Sequence, residues 1–350
     1  MNERQIGAKV SLAVKYRPKC WEDVTEQSVV KDILENQVRT KTVQSAYLFT
    51  GPSGTGKTTS ARIFANMIND GKGNPIEVDA ASNSGVDNIR QIIEDAKRKP
   101  LDAEYKIFIV DECHSLSDSS WQALLKTLEE PPKFTIFIFC TTNPEKIPAT
   151  ILSRVQRYNF QKISNEGIVD RLNMILEKES EEIDNLSCKL NWEQDALEFI
   201  SKVSSGGMRD AITLLDKCLS LSHDVTLENV LKTIGSEDYS TFITFLSALE
   251  GKVKVSAVRI IENVYNAGKD VKQFMKDFAK FILEVEKYAL YKNFDYISLP
   301  NTLENELEQL IDDSLFDIMD FVVSLNNQIK WENDARTLIE LSILIYCGKE

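Results

Sequence analysis

The sequence predicts an α/β protein, with a mostly parallel sheet domain in its first half and two groups of helices after it. Three observations carry this. Apolar runs of strand length alternate with helical patterns from Ala46 to Asn143. A glycine-rich turn follows the first of these runs and opens a helix. Beyond Ser164 the β-branched runs give way to amphipathic helical spacing.

The predicted strands are Ala46 to Thr50 (AYLFT), Ile76 to Asp79 (IEVD), Lys106 to Val110 (KIFIV), Phe134 to Thr141 (FTIFIFCT) and, as an edge, Arg157 to Gln161 (RYNFQ). Between them lie helices at about Lys57 to Ile68, Val86 to Arg98 and Ser119 to Leu128, the last stopped by Pro131 and Pro132. A first helical group reaches about Gly235 and includes Glu193 to Val203 and Met208 to Leu219. A second contains Tyr239 to Leu249, Val255 to Asn266, Val271 to Tyr291, Leu303 to Leu325 and Asp334 to Ile345, and reads as a bundle. In the third of these helices Val271, Phe274, Met275, Phe278, Ile282, Val285 and Ala289 form one apolar stripe.

At 43% hydrophobic and 27% charged residues, the 350-residue chain is too apolar to be disordered and long enough for two or three cores. No stretch approaches the ~20 apolar residues of a membrane span, and the opening MNERQIGAKV lacks a signal peptide's apolar run, so a cytosolic protein is expected. Cysteines at 20, 113, 140, 188, 218 and 347 never fall closer than 27 apart, which gives neither a metal-ligand pair nor a short disulfide framework. They read as reduced thiols in packed positions. The net charge of −13 hides an asymmetry, because residues 1 to 160 hold 21 basic and 20 acidic side chains whereas 161 to 350 hold 20 and 34. A near-neutral first half can still present a basic face to phosphates; the acidic half suits protein contacts.

Gly51-Pro52-Ser53-Gly54-Thr55-Gly56-Lys57-Thr58 lies between a strand and a helix, the context a phosphate-binding P-loop requires. Its glycines let backbone N–H groups turn inward around phosphates, Lys57 supplies a cation, and the Thr58 hydroxyl can reach Mg²⁺. Fifty-four residues after Lys57, Asp111 and Glu112 end a strand at the sheet edge where ligands of such folds sit. Asp111 would hold Mg²⁺ and Glu112 would orient and deprotonate an attacking water. Asp111-Glu112-Cys113-His114 also spells the DExH signature of helicases. Such helicases need a second P-loop-like domain with a late arginine-rich motif; the region after Ser164 is helical and acidic, so Cys113 and His114 read as packing or loop residues. Three weaker signals follow in order: Thr141-Thr142-Asn143, Ser153-Arg154, and Gly206-Gly207-Met208-Arg209-Asp210.

Taken together, these motifs resemble those of the AAA+ ATPases, and within them the γ/τ motor subunit of the bacterial DNA polymerase III clamp loader, over essentially the whole chain. The specific points are Lys15-Tyr16-Arg17-Pro18, AYLFTGPSGTGKTTSAR at 46 to 62, EVDAASN at 77 to 83, IVDECHSLS at 109 to 117, ALLKTLEEPP at 123 to 132, TTNPEKIPATILSR at 141 to 154 and GGMRDAITLLD at 206 to 216. The resemblance implies an AAA+ P-loop sheet domain at 1–163, a helical lid at 164–236 and an all-α collar at 237–350. It implies that Gly51, Ser53, Gly54, Thr55, Gly56, Lys57, Thr58 and Thr59 bind ATP, with Thr58 and Asp111 on Mg²⁺. Tyr16, Arg17 and Pro18 would border the adenine, Thr142 would be the first sensor of the γ-phosphate, Arg209 the second, reaching from the lid, and Arg154 an arginine finger for the neighbouring subunit's site. Asn83, Ser84 and Arg90 match a region that tracks the DNA backbone, a task suited to a helix N-terminus.

There are departures from the family pattern. The family's four-cysteine zinc module is replaced by Asn66 to Pro75 (NMINDGKGNP), so no zinc is expected. The Ser-Arg-Cys triplet appears as Ser153-Arg154-Val155, and the long extension of the τ form is expected to be absent, as in a phage-encoded or divergent version. The resulting expectation is the ATP-driven motor of a sliding-clamp loader, in a homo- or hetero-oligomeric ring, of pentamer type, that meets a sliding clamp and primer-template DNA. A non-hydrolysing scaffold subunit and another AAA+ or DExH nucleic-acid motor are the alternatives.

Overall fold

The computed structural model describes residues 10–184, 190–234, 237–300, 303–311 and 315–348. Cys188, the lid–collar boundary at 236 and the first nine residues lie outside them. The chain packs as two compact units, the first running to Leu190 and including Ser204–His223, the second made of Asn191–Val203 and the chain from Asp224 onward.

The first unit opens with a short helix α1 (Leu12–Lys15) and α2 (Ser28–Thr40), then alternates β1 (Ala46–Thr50), α3 (Lys57–Ile68), β2 (Ile76–Asp79), α4 (Val86–Ala96), β3 (Lys106–Asp111), α5 (Asp118–Glu129), β4 (Thr135–Thr141), α6 (Ala149–Leu152) and β5 (Gln156–Asn159). All five strands are parallel, in the order β2-β3-β4-β1-β5, which leaves β5 at an edge as its polar sequence predicts. Side chains alternate between faces with the strand period of two. Tyr47, Phe49, Ile107, Ile109, Ile136 and Ile138 pack on one face with α2 and α3; Leu48, Phe108, Val110, Phe137 and Phe139 pack on the other with α4 and α5. This order sets the ends of β3, β4 and β1 side by side, so that whatever follows them converges.

Beyond the sheet, α7 (Asn165–Asp184) packs against a helix that returns later in the chain, Met208–Leu221. The Leu12 N–H donates to Asp216 Oδ2 of that returning helix at 3.0 Å, which ties α1 to it.

In the second unit a two-residue parallel pair, β6 (Asn191–Trp192) and β7 (Asp224–Val225), sits beside α8 (Gln194–Val203) and α10 (Leu227–Ile234); the returning helix of the first unit is α9. The bundle follows as α11 (Glu237–Glu250), α12 (Lys254–Asn266), α13 (Val271–Tyr291), α14 (Glu304–Gln309), α15 (Leu315–Ile329) and α16 (Ala335–Tyr346). Helix α13 starts where Asp270 accepts the N–H groups of Lys272 and Gln273, an N-cap. Its stripe is buried except Ala289, which is half-buried while Tyr288 turns inward. Phe278 is fully buried, with its ring centroid 4.7 Å from that of Phe245. Phe278→Ala should cost the bundle about 3–5 kcal/mol, measurable by denaturant unfolding; an unchanged midpoint would contradict this packing.

Several expectations are corrected. Helix α4 stops at Ala96 rather than Arg98, with Lys97 as its C-cap. The predicted helix Leu303 to Leu325 is two helices, because the Leu310 N–H folds back to Leu307 O and closes α14; residues 312–314 lie outside the described set. The β6–β7 pair interrupts the helical half, too short to leave a periodic signal. Cys113, Cys140, Cys218 and Cys347 are buried, as packed positions require, but Cys20 is exposed. Among the described residues no helix is long and apolar enough to cross a membrane.

Candidate nucleotide-binding site

The turn between β1 and α3 has the backbone that its glycines permit. Gly51 holds φ +144, and a Cβ there would lie 2.2 Å from the Phe160 carbonyl oxygen, so only glycine fits. Gly56 holds φ +96 immediately before the first turn of α3, whose N–H groups and positive dipole end face the loop. Thr55 is buried and its hydroxyl donates to Pro52 O at 2.9 Å, bracing the loop from within. Lys57 is only 6% exposed, and its Nζ donates to Gly51 O at 2.9 Å and Pro52 O at 2.7 Å. Burial pushes this ammonium below the usual lysine range, and the Asp111 and Glu112 carboxylates offset part of that. A buried cation whose hydrogen bonds among the described residues go to carbonyl oxygens is a ready partner for an anion.

At the end of β3, Asp111 Oδ2 accepts the Thr58 hydroxyl at 2.8 Å, and Asp111 Oδ1 accepts the Glu112 N–H at 3.0 Å. Two hard oxygen donors facing one another at the foot of the P-loop fit Mg²⁺, which prefers carboxylate, hydroxyl and water oxygens. Glu112 sits in the left-handed region at φ +45, uncommon for a side chain of its size. Its Oε2 accepts the Thr142 hydroxyl at 3.2 Å, so the residue after β4 meets the residue after β3. His114, in the turn Cys113–Ser115, also reaches this carboxylate, with Nδ1 at 3.2 Å from Glu112 Oε2 and 3.0 Å from Thr141 Oγ1. His114 thus lies in a turn, in keeping with its reading as a packing or loop residue, but its ring meets Glu112; Cys113 is packed, and burial pushes its thiol well up. The Thr141 carbonyl accepts the Gly51 N–H at 3.3 Å and ties this platform to the loop.

The remaining sequence-marked residues fall in three places. Gly54 touches the start of α9, where Met208 donates its N–H to Gly54 O at 3.1 Å and brings Arg209 beside the P-loop. Ser53 and Arg209 are exposed, and Thr59 is half-buried on α3. Half-buried Arg17 lies within the field of Arg209, Arg62 and Asp111, and burial together with the two neighbouring guanidiniums lowers its pKa. Tyr16 next to it, just before Pro18, donates to Glu179 Oε1 of α7 at 2.7 Å; burial and that carboxylate push its phenol up to about 12. Lys15 joins Glu179 and Glu182 at 2.6 Å each, and Arg171 donates to Tyr16 O at 2.8 Å, so α7 clamps the whole segment.

Arg154 pairs with Glu129 at 2.5 Å and donates to Thr150 O and Ser153 Oγ, none of them in this chain's P-loop. Asn83 closes a turn onto Asp79 O at 3.0 Å, Ser84 O accepts the Ser120 hydroxyl at 2.9 Å, and exposed Arg90 pairs with Asp87 at 3.1 Å.

A family model described as DNA polymerase III, delta subunit, matches residues 74–164. The DNA polymerase III subunit gamma of Buchnera aphidicola subsp. Baizongia pistaciae is 35% identical to this chain over 263 residues, which are 69% of each protein. This chain belongs to the DNA polymerase III gamma/tau family. The subunit tau of Bacillus subtilis is 34% identical over 95% of this chain, and the chain spans 62% of that protein's length. It spans 50% of the gamma/tau subunit of Mycoplasma genitalium, also 34% identical. Among solved structures, the Thermotoga maritima RuvB Holliday junction branch migration motor superposes on 67% of this chain and 79% of its own at a TM-score of 0.50 and 20% identity, a likeness of fold alone. The sheet order and the helical region after it are those of an AAA+ fold.

Within this gamma/tau family member, sequence reasoning missed the hold of His114 on Glu112 and the anchoring of the Tyr16 segment by Glu179 and Arg171. The first had a visible signal, a histidine two residues after the acidic pair. The second had none, since Tyr16 and Glu179 stand 163 residues apart.

Proposed function

We propose that this chain is the ATP-driven motor subunit of a sliding-clamp loader, in which ATP binding holds the clamp open on primed DNA and hydrolysis releases it. The carrying observation is the convergence of Lys57, the Thr58–Asp111 pair and the Glu112–Thr142 pair on one sheet edge beside the P-loop. Lys57, Ser53, Thr59 and the loop's N–H groups bind the triphosphate, and Tyr16, Arg17 and Pro18 border its base. Thr58 and Asp111 would hold Mg²⁺, which would neutralise charge on the triphosphate. Glu112 orients a water and takes its proton. Thr142 polls the γ-phosphate, and Arg209 does so from α9, so nucleotide state sets the angle of a lid at 164–236. Arg154 completes the site of an adjacent subunit, which explains a guanidinium that faces away from its own P-loop. A collar at 237–350 carries the ring's association, and Asn83, Ser84 and Arg90 approach the DNA backbone.

The intact set Lys57, Thr58, Asp111 and Glu112 disfavours a non-hydrolysing scaffold, which has no physical need for all four. The test is the ATPase rate of the chain assembled with its companion subunits, with and without a sliding clamp and primer-template DNA. The largest stimulation should require both ligands. Stimulation by duplex DNA alone, with translocation, would instead indicate a helicase-like motor.

A further inference from the structure

We propose that His114 is a positioning residue for Glu112, holding the carboxylate in place after Thr142 has turned to the nucleotide. The proposal rests on the reading of Glu112 as the group that activates water. His114 is 16% exposed at the side chain, and its Nδ1 faces two oxygens, Thr141 Oγ1 at 3.0 Å and Glu112 Oε2 at 3.2 Å. A carboxylate oxygen can only accept, so this contact favours the tautomer with the hydrogen on Nδ1. Thr141 Oγ1 already accepts the Asn143 N–H at 3.0 Å and has a second lone pair for His114. The imidazole Nδ1 therefore faces two oxygens on rigid elements, the end of β4 and the turn after β3, and an Nδ1–H suits both.

Glu112 needs such a hold. Its backbone is left-handed, its side chain is 38% exposed, and its Oε1 has no hydrogen-bond partner among the described residues. Oε2 accepts the Thr142 hydroxyl and lies 3.2 Å from His114 Nδ1, which leaves Oε1 open to a water. The two grips are not equivalent. Thr142 has a single hydroxyl proton, and giving it to a γ-phosphate oxygen removes it from Glu112. His114 has no phosphate to serve, so its bond persists through the step in which Glu112 acts. A carboxylate that keeps one fixed donor spends less of its time in unproductive rotamers.

The test uses His114→Ala, His114→Asn and His114→Gln in the full assembly, with kcat and KM for ATP and the dissociation constant of a labelled ATP analogue. His114→Ala should lower kcat about tenfold or more, as loss of a hydrogen bond to a charged group implies, with nucleotide affinity within about twofold of the parent. His114→Asn, whose side-chain N–H stands near the position of Nδ1, should recover most of the rate, and His114→Gln should not. In a Glu112→Gln background, His114→Ala should cause no further loss. An unchanged kcat in His114→Ala, an Asn variant as slow as Ala, or a rate loss matched by lost nucleotide affinity would each overturn the proposal. A parent assembly that neither binds nor cleaves ATP overturns the underlying reading instead, and the proposal with it.

Discussion

Lys57→Ala is expected to weaken ATP binding about a hundredfold or more, equivalent to about 2.8 kcal/mol, while the fold persists. The size follows from the surroundings. The ammonium is buried in the loop, satisfied among the described residues by the Gly51 and Pro52 carbonyls, with the Asp111 and Glu112 carboxylates nearby. Triphosphate oxygens would replace neutral acceptors by charged ones, and charge-assisted hydrogen bonds are roughly twice as strong as neutral ones. Removing the amine also leaves the loop carbonyls pointing at the phosphates with nothing between. Binding of a labelled nucleotide by equilibrium titration reads this directly, with circular dichroism to check the fold. Undiminished affinity would contradict the assignment of this loop to phosphate.

Glu112→Gln is expected to leave ATP binding within about threefold of the parent and to slow hydrolysis by roughly 10²–10⁴-fold, the range for a lost general base. The amide keeps the shape and can still accept the Thr142 hydroxyl and stand beside His114 Nδ1, so the platform at the end of β4 remains. What it loses is the capacity to take a proton. Single-turnover hydrolysis separates the two effects, since binding is complete before chemistry is timed. Hydrolysis at the parent rate would move the water-activating role elsewhere.

Much of the first unit was legible because its punctuation is chemical. Glycines and prolines bound β1 and α3, and both elements run where the sequence predicts, Ala46–Thr50 and Lys57–Ile68. Helix α2 was not foreseen. It starts after Gln27 at φ +57 without a side-chain cap, and two of its apolar residues, Val29 and Ile33, face outward, which blurs the stripe made by Val30 and Leu34. In the bundle α13 was legible from its stripe, whereas the break after Gln309 was not, because Leu303, Leu307 and Leu310 keep helical spacing up to it.

Site residues separate along the same line. Those defined by local spacing, Lys57, Thr58, Asp111 and Glu112, stand together at the sheet edge beside the loop. The partners that hold Glu112 depend on how β3 and β4 lie side by side, and the clamp on Tyr16 depends on α7 returning past it. These contacts belong to tertiary structure and leave no local trace.

In the proposed motor each ATP is gripped by one subunit and completed by Arg154 of another. Assemblies formed from a mixture of Arg154→Ala and Glu112→Gln chains test it most directly. Each variant alone should bind ATP and hydrolyse it slowly. Mixed assemblies should regain activity, because some interfaces then pair an intact Glu112 with a neighbour's intact Arg154. Mixtures that exchange subunits freely yet hydrolyse no faster than either variant alone would contradict a shared site.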